Sequence, residues 1–141
     1  MSKERAIIVD LDGTIALIGD RDVYHAEKCD EVDAINLPVA ETVKLYYDAG
    51  YKIVFCSGRM DKYREPTVRF IEKHLPGMAY VLLMRATGDQ RKDSLVKEEI
   101  YHRDIAEKYD VFLILDDRNS VVQMWREVLG LTVFQVAPGN F

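Results

Sequence analysis

The sequence predicts an α/β fold, a three-layer sandwich around a mainly parallel five-stranded sheet. Three observations predict it. Short apolar, β-branched runs alternate with amphipathic helical stretches along the whole chain. Several of those runs end in acidic or hydroxyl residues, as strands do at the binding edge of a parallel sheet. And 141 residues, 48% of them hydrophobic, suffice for one buried core and one domain.

The elements follow in order. Ala6-Ile7-Ile8-Val9 is the core of a first strand over 5–9. Residues 15–37 read as polar and irregular, too short for a second domain. Pro38 suits the first turn of a helix. Val39, Val43, Tyr46 and Tyr47 then recur at helical spacing, and Gly50 is a stop. Residues 51–56 form a second strand, followed by Ser57-Gly58-Arg59. A helix carrying Val68, Phe70 and Ile71 closes at Pro76-Gly77. Residues 79–84 are a third strand and 85–91 a polar loop. A helix over 93–108 puts Val96, Ile100, Ile105 and Tyr109 on one side. Residues 111–115 are a fourth strand, ending at Asp116-Asp117-Arg118. Val121, Val122, Trp125, Val128 and Leu129 line the last helix, which Gly130 ends before a fifth strand over 131–136. No repeat, low-complexity tract or linker divides the chain, so 1–141 is expected to be one domain.

Composition narrows the function. No run of about 18 apolar residues exists to span a membrane. Asp10 and Asp12 interrupt the first hydrophobic stretch, which argues against a secretory leader. Cys29 and Cys56 make no disulfide framework, so a reducing cytoplasm is expected. A net charge of −5 argues against bulk coating of nucleic acid but permits a local basic groove.

Four clusters sit where chemistry is expected. In Asp10-Leu11-Asp12-Gly13-Thr14, two alternate carboxylates share one face of a strand tip. One can attack phosphorus, and the other can move protons. Gly13 permits the turn, and Thr14 offers a hydroxyl and an amide. An ordinary Asp-Gly turn is the alternative. Ser57 and Gly58 can bind a phosphoryl oxygen, and Arg59 a second, although Ser-Gly also marks turns. Asp93 and Lys97 stand four apart near a helix start. They read either as a cap with an i,i+4 pair or as a lysine held there by nearby anions. Asp116 and Asp117 are costly together unless something neutralises them. If the first and fourth strands are neighbours, they join Asp10 and Asp12, and a divalent cation follows. Oxygen ligands and a phosphate substrate favour Mg2+. Asp117 or Asn119 as a helix cap is the alternative. Trp125, Met124, Tyr46 and Tyr47 read as core, and Cys29 as an ordinary thiol.

The order Asp-x-Asp, Ser, Lys, Asp-Asp resembles the motif series of the haloacid dehalogenase superfamily of phosphotransferases. Tyr24-His25-Ala26-Glu27-Lys28-Cys29-Asp30, Val96-Lys97-Glu98-Glu99-Ile100, Met124-Trp125-Arg126 and Gln135-Val136-Ala137-Pro138-Gly139-Asn140-Phe141 resemble, more narrowly, the 3′-phosphatase domains of polynucleotide kinase/phosphatases of the T-even bacteriophage type. That resemblance implies a Rossmann-like fold with a minimal cap. It implies Asp10 as nucleophile, Asp12 as general acid/base, and Ser57 and Lys97 as the phosphate-binding pair. Arg21, Arg59 and Asp93 fall on further functional positions, with Thr14 and Gly58 beside the substrate. Mg2+ would be held by Asp10, the Asp12 carbonyl and Asp117, with Asp116 acting through water. No G-x-x-x-x-G-K-[ST] occurs, so kinase activity is expected to be absent from this chain, which could stand alone.

The function this implies is a Mg2+-dependent phosphatase that removes terminal 3′-phosphates from DNA or RNA ends, in nucleic-acid end repair. Its setting would be cytoplasmic, the host cytoplasm if phage-encoded. A separate 5′-kinase or ligase would be a partner by analogy. The alternatives are a phosphatase of small phosphomonoesters such as nucleoside monophosphates, and a non-catalytic receiver-like domain. The short flap at 15–37 favours the polymer, since it could not enclose a small molecule. Arg59, Arg85 and Arg91 are expected to hold neighbouring backbone phosphates.

Overall fold

The computed structural model describes residues 2–141. Its centre is strand β1 (Glu4–Val9), whose residues Ala6 to Val9 are all buried. Alternation sends Ala6 and Ile8 to one face of the sheet and Ile7 and Val9 to the other. Strand β4 (Lys52–Met60) pairs with β1 on one side and β6 (Tyr109–Asp116) on the other, both parallel. Strands β5 (Val81–Arg85) and β7 (Val133–Gln135) complete a five-stranded sheet in the order β5-β4-β1-β6-β7. A sheet buried on both faces needs apolar residues at successive positions, which explains the unbroken runs read from the sequence.

Helices cover both faces. Helices α2 (Leu37–Asp48) and α3 (Arg64–His74) pack Val39, Val43, Phe70 and Ile71 against Ile7, Val9, Phe55 and Leu113. On the other face, α4 (Asp93–Ile100) and α5 (Asn119–Gln123) pack Val96, Ile100, Val121 and Val122 against Ala6, Ile8, Val54 and Ile114. Helix α4 continues as a π-helical turn, Tyr101–Ile105, and α5 as another, Met124–Val128. From β1 the chain builds outward to β4 and β5, then crosses back to β6 and β7. The strand order therefore reverses beside β1, where open α/β sheets bind their ligands.

Three details differ from the sequence reading. Residues 15–37 are not all irregular: β2 (Ala16–Leu17) and β3 (Ala34–Ile35) form a small antiparallel pair flanking helix α1 (Cys29–Val32). Two-residue strands are too short to leave a periodicity. Strand β4 runs on past Cys56 to Met60, so Ser57, Gly58 and Arg59 lie inside it. Its pairing with β5 is interrupted there, between Ser57 and Met60. Val128, expected in the core, is exposed, because the π-turn rotates it outward while Trp125 stays fully buried.

Phe55 lies under this sheet, fully buried and edge-on to Tyr80 with ring centroids 5.7 Å apart. Phe55→Ala should lower the unfolding free energy by about 3–5 kcal/mol. Urea unfolding checks this, and a loss below about 1 kcal/mol would contradict the packing described.

Candidate active site

The C-terminal tips of β1 and β6 place three carboxylates together. One oxygen from each of Asp10, Asp116 and Asp117 lies within 4.8 Å of the other two, and all three residues are buried. Opposite them stands a single buried ammonium. Lys97 Nζ donates to Asp10 Oδ1 at 2.8 Å and to Asp116 Oδ2 at 3.2 Å. Lys97 lies in the second turn of α4 and reaches inward, so the i,i+4 pair with Asp93 does not form. The Thr14 hydroxyl lies 3.0 Å from Asp10 Oδ2 and 3.3 Å from Asp117 Oδ1. Thr14 is itself buried, so it braces the two acids where contact with substrate was expected. Gly13, at φ +81°, has no room for a side chain: a Cβ would lie 2.2 Å from Asp117 Oδ2.

Asp12 belongs to a different group. Its carboxylate turns away from the triad towards two arginines. Arg59 Nη2 donates to Asp12 Oδ1 at 2.7 Å and Arg21 Nη2 at 2.9 Å. Both guanidiniums are held in turn by Asp33, through Arg21 Nε (2.9 Å) and Arg59 Nη2 (3.1 Å). Arg59 Nη1 also donates to Cys29 Sγ and Thr67 Oγ1. Burial works against the Arg59 charge, but Asp12 and Asp33 outweigh it and hold the guanidinium more firmly protonated than usual. Asp33 was not singled out in the sequence. Its signal was indirect: two arginines beside one carboxylate need a second acid. Trp125, read only as core, donates its indole N–H to Asp116 Oδ2 at 3.2 Å.

The β4 irregularity completes the floor. Ser57 Oγ accepts the Arg59 amide at 3.0 Å, which leaves its own O–H to donate elsewhere. Gly58 presses against Asp93, where a Cβ would meet Asp93 Oδ1 at 1.9 Å. Asp93 takes Arg85 Nη2 at 3.0 Å and lies 3.6 Å from Arg118 Nη1, so it acts on the arginines of the rim. Arg85 spends its remaining donors on the carbonyls of Gly58, Asp89 and Arg91, and Arg91 pairs with Asp89 and Glu99. Neither is positioned as the backbone-phosphate clamp expected of it.

Three comparisons bear on what this arrangement is. The profile of the polynucleotide kinase PNKP phosphatase domain family matches residues 4–141. The chain belongs to that family. It is a phosphomonoesterase domain of the haloacid dehalogenase type. A protein of Autographa californica nuclear polyhedrosis virus, named as a bifunctional polynucleotide kinase/RNA ligase, is 39% identical over 135 residues, which are 94% of this chain and 19% of that protein. A chain in a solved Pnkp1/Rnl/Hen1 complex superposes with TM-score 0.94 at 48% identity, covering 99% of this chain and 48% of that one. This PNKP-family phosphatase domain thus spans under half the length of these relatives. A class C acid phosphatase from Bacillus anthracis, 16% identical, shares the fold with TM-score 0.67 over 99% of this chain and 68% of that one.

The triad fits a hard divalent cation. Its donors are all oxygens, and three carboxylates face one ammonium, which leaves two negative charges buried. Burial, then the neighbouring Asp116, pushes Asp10 well above the ordinary carboxylate range, against the pull of Lys97. Burial pushes Asp117 up as well. Burial opposes the Lys97 charge, yet Asp10 and Asp116 drive its pKa well up.

A carboxyl that keeps its proton to higher pH when folded makes the folded state the stronger proton binder, so stability falls as pH rises. Without a cation, Asp10 and Asp117 should lower stability from about pH 4 towards neutrality. A cation takes the proton's place, so the stabilisation given by MgCl2 should grow across that window. Urea unfolding at stepped pH, in chelator and in MgCl2, measures the difference. An increment independent of pH would contradict this account.

Proposed function

We propose that the domain is a Mg2+-dependent polynucleotide 3′-phosphatase working through an aspartyl-phosphate on Asp10. The observation that carries the reading is the separation of two acids only two residues apart. Asp10 lies with the lysine and the other acids of the triad, whereas Asp12 is held on the other side by Arg21 and Arg59. A bound cation and Lys97 would keep Asp10 ionised for attack, while Asp12, outside the triad, is left to serve the leaving oxygen.

Asp10 attacks phosphorus, forming the Asp10–phosphorus ester as the bond to the 3′-oxygen breaks. Asp12 gives its proton to that oxygen, which leaves as the 3′-hydroxyl. Asp12 then takes a proton from water as the water attacks the ester, and inorganic phosphate and the free Asp10 carboxylate result. Lys97, which donates to Asp10, and the Ser57 hydroxyl, from the neighbouring strand β4, would hold the transferring oxygens. Asp10, Asp117 and the Asp12 carbonyl would hold Mg2+, with Asp116 behind them, and the ion would neutralise phosphoryl charge.

The cover supports a polymer substrate. The β2/β3 pair and α1 form only a short flap, and Asp12 keeps 16% of its side chain exposed. A polymer end can enter such a site. The relatives named for polynucleotide kinase, RNA ligase and RNA repair support an RNA end and partners supplying kinase and ligase chemistry. No helix among the described residues is long and apolar enough to cross a membrane, which fits a cytoplasmic repair role.

Asp10→Asn and Asp12→Asn should each cut turnover at least about 1000-fold while the fold survives. Phosphate release from 3′-phosphorylated RNA, 3′-phosphorylated DNA and a nucleoside 3′-monophosphate checks both variants and the substrate class. Activity retained in folded Asp10→Asn would overturn the mechanism. Preference for the mononucleotide would overturn the polymer.

A further inference from the structure

Asp116 accepts four hydrogen bonds from the protein. Oδ1 accepts the amides of Asp117 (2.8 Å) and Arg118 (3.4 Å), and Oδ2 accepts Lys97 Nζ and Trp125 Nε1, each at 3.2 Å. A carboxylate has about four lone-pair positions, so this one is filled by donors of the chain itself. Three of those donors are accounted for by the turn after β6 and by the lysine. The fourth, the indole, belongs to the chain's single tryptophan, fully buried on the face of the sheet that α4 and α5 cover.

The backbone around the indole is unusual. Trp125 lies in the π-helical turn Met124–Val128, closed by the Leu129 amide on the Met124 carbonyl at 3.2 Å. Its ring meets Tyr101 edge-on, centroids 6.2 Å apart, and Tyr101 opens the second π-helical turn, directly after the helix that carries Lys97. Both helices widen where they meet behind the acids. Such turns collect at functional sites because they re-aim a side chain at a cost in helix geometry.

We infer that Trp125 is a positioning residue: its N–H fixes Asp116 Oδ2 on Lys97 and so sets where Lys97 meets Asp10. The line of contacts runs Trp125 to Asp116 to Lys97 to Asp10, with no gap longer than 3.2 Å. Without the indole donor, Oδ2 keeps only Lys97, and the Asp116–Lys97 pair is free to shift from its place. Lys97 then follows Asp116 and loosens its hold on the nucleophile. The inference rests on the metal and nucleophile assignments proposed above.

Trp125→Phe keeps most of the ring volume and removes only the donor. Removing a hydrogen bond of this kind behind a metal centre typically costs 10–100-fold in metal affinity or activity. Calorimetric titration with MgCl2 should show affinity at least about 10-fold weaker. With p-nitrophenyl phosphate, kcat should fall by a similar factor while KM changes less than about 2-fold. Met124→Ala, a cavity in the same core that leaves the N–H in place, should lower thermal stability and leave Mg2+ affinity unchanged. The one indole N–H resonance of the wild-type protein should be protected from solvent exchange and should move in Asp116→Asn.

A folded Trp125→Phe with wild-type Mg2+ affinity and kcat would overturn the inference. So would equal losses in Met124→Ala, which would reduce Trp125 to packing. If Trp125→Phe fails to fold, the indole resonance decides: fast exchange with solvent, or indifference to Asp116→Asn, counts against the role. A wild-type protein that takes up no Mg2+ refutes the metal reading and this inference with it. An active wild type with an unaffected Trp125→Phe refutes the inference alone.

Discussion

Three carboxylates buried against one lysine are the constraint on which the rest of the structure depends. Asp10, Asp116 and Asp117 repel one another at close range, in surroundings that screen little. Everything around them counters that repulsion. Lys97 reaches inward from α4 and forgoes water. Thr14 bridges Asp10 and Asp117. Main-chain amides and the indole saturate Asp116. Gly13 yields its side-chain volume to Asp117. The compensation is incomplete by two charges, and a hard cation with a phosphate ester is the chemistry that fits the remainder.

Beside the triad lies a second, balanced group: Asp12 and Asp33 against Arg21 and Arg59. Among the described residues no side-chain hydrogen bond joins the two groups, although Asp10 and Asp12 lie close together at β1's tip. That closeness lets one strand carry the two roles proposed for Asp10 and Asp12 while giving each its own electrostatic surroundings. The flap matters because it supplies half of the second group. Arg21 and Asp33 both lie in 15–37, and α1 brings Cys29 against Arg59. The segment that covers the site also tunes it.

The five sheet strands, their parallel sense and the helices between them were legible because periodicity and turn residues record burial on both faces. The Asp-x-Asp and Asp-Asp clusters were legible because carboxylates at strand tips are costly enough to stand out. The flap's short strands were not, since two residues carry no period. Asp33 was hidden because only the pairing of Arg21 and Arg59 with Asp12 reveals the need for a second acid. Trp125 was read as core, correctly for its ring, but a sequence pattern cannot tell an indole that merely packs from one that also donates. Arg85 and Arg91 misled because basic residues near a phosphate site suggest phosphate contacts, whereas here loop carbonyls and acids take their donors.

The segment after β7 gives the site one more property. Gln135 Nε2 donates to the Asp117 carbonyl at 2.9 Å, and Gly139 lies so close that a Cβ would meet that oxygen at 1.8 Å. Thr14 touches Asp117 across a sequence separation of 103 positions. Asp10 therefore meets Asp116 and Asp117 only once β6 has docked on β1. Before that pairing Asp116 and Asp117 stand without Asp10, and the three-carboxylate group does not exist. Catalytic competence and tertiary completeness arrive together, so a domain of this design reports on its own folding: hydrolysis begins when the final layer is laid down.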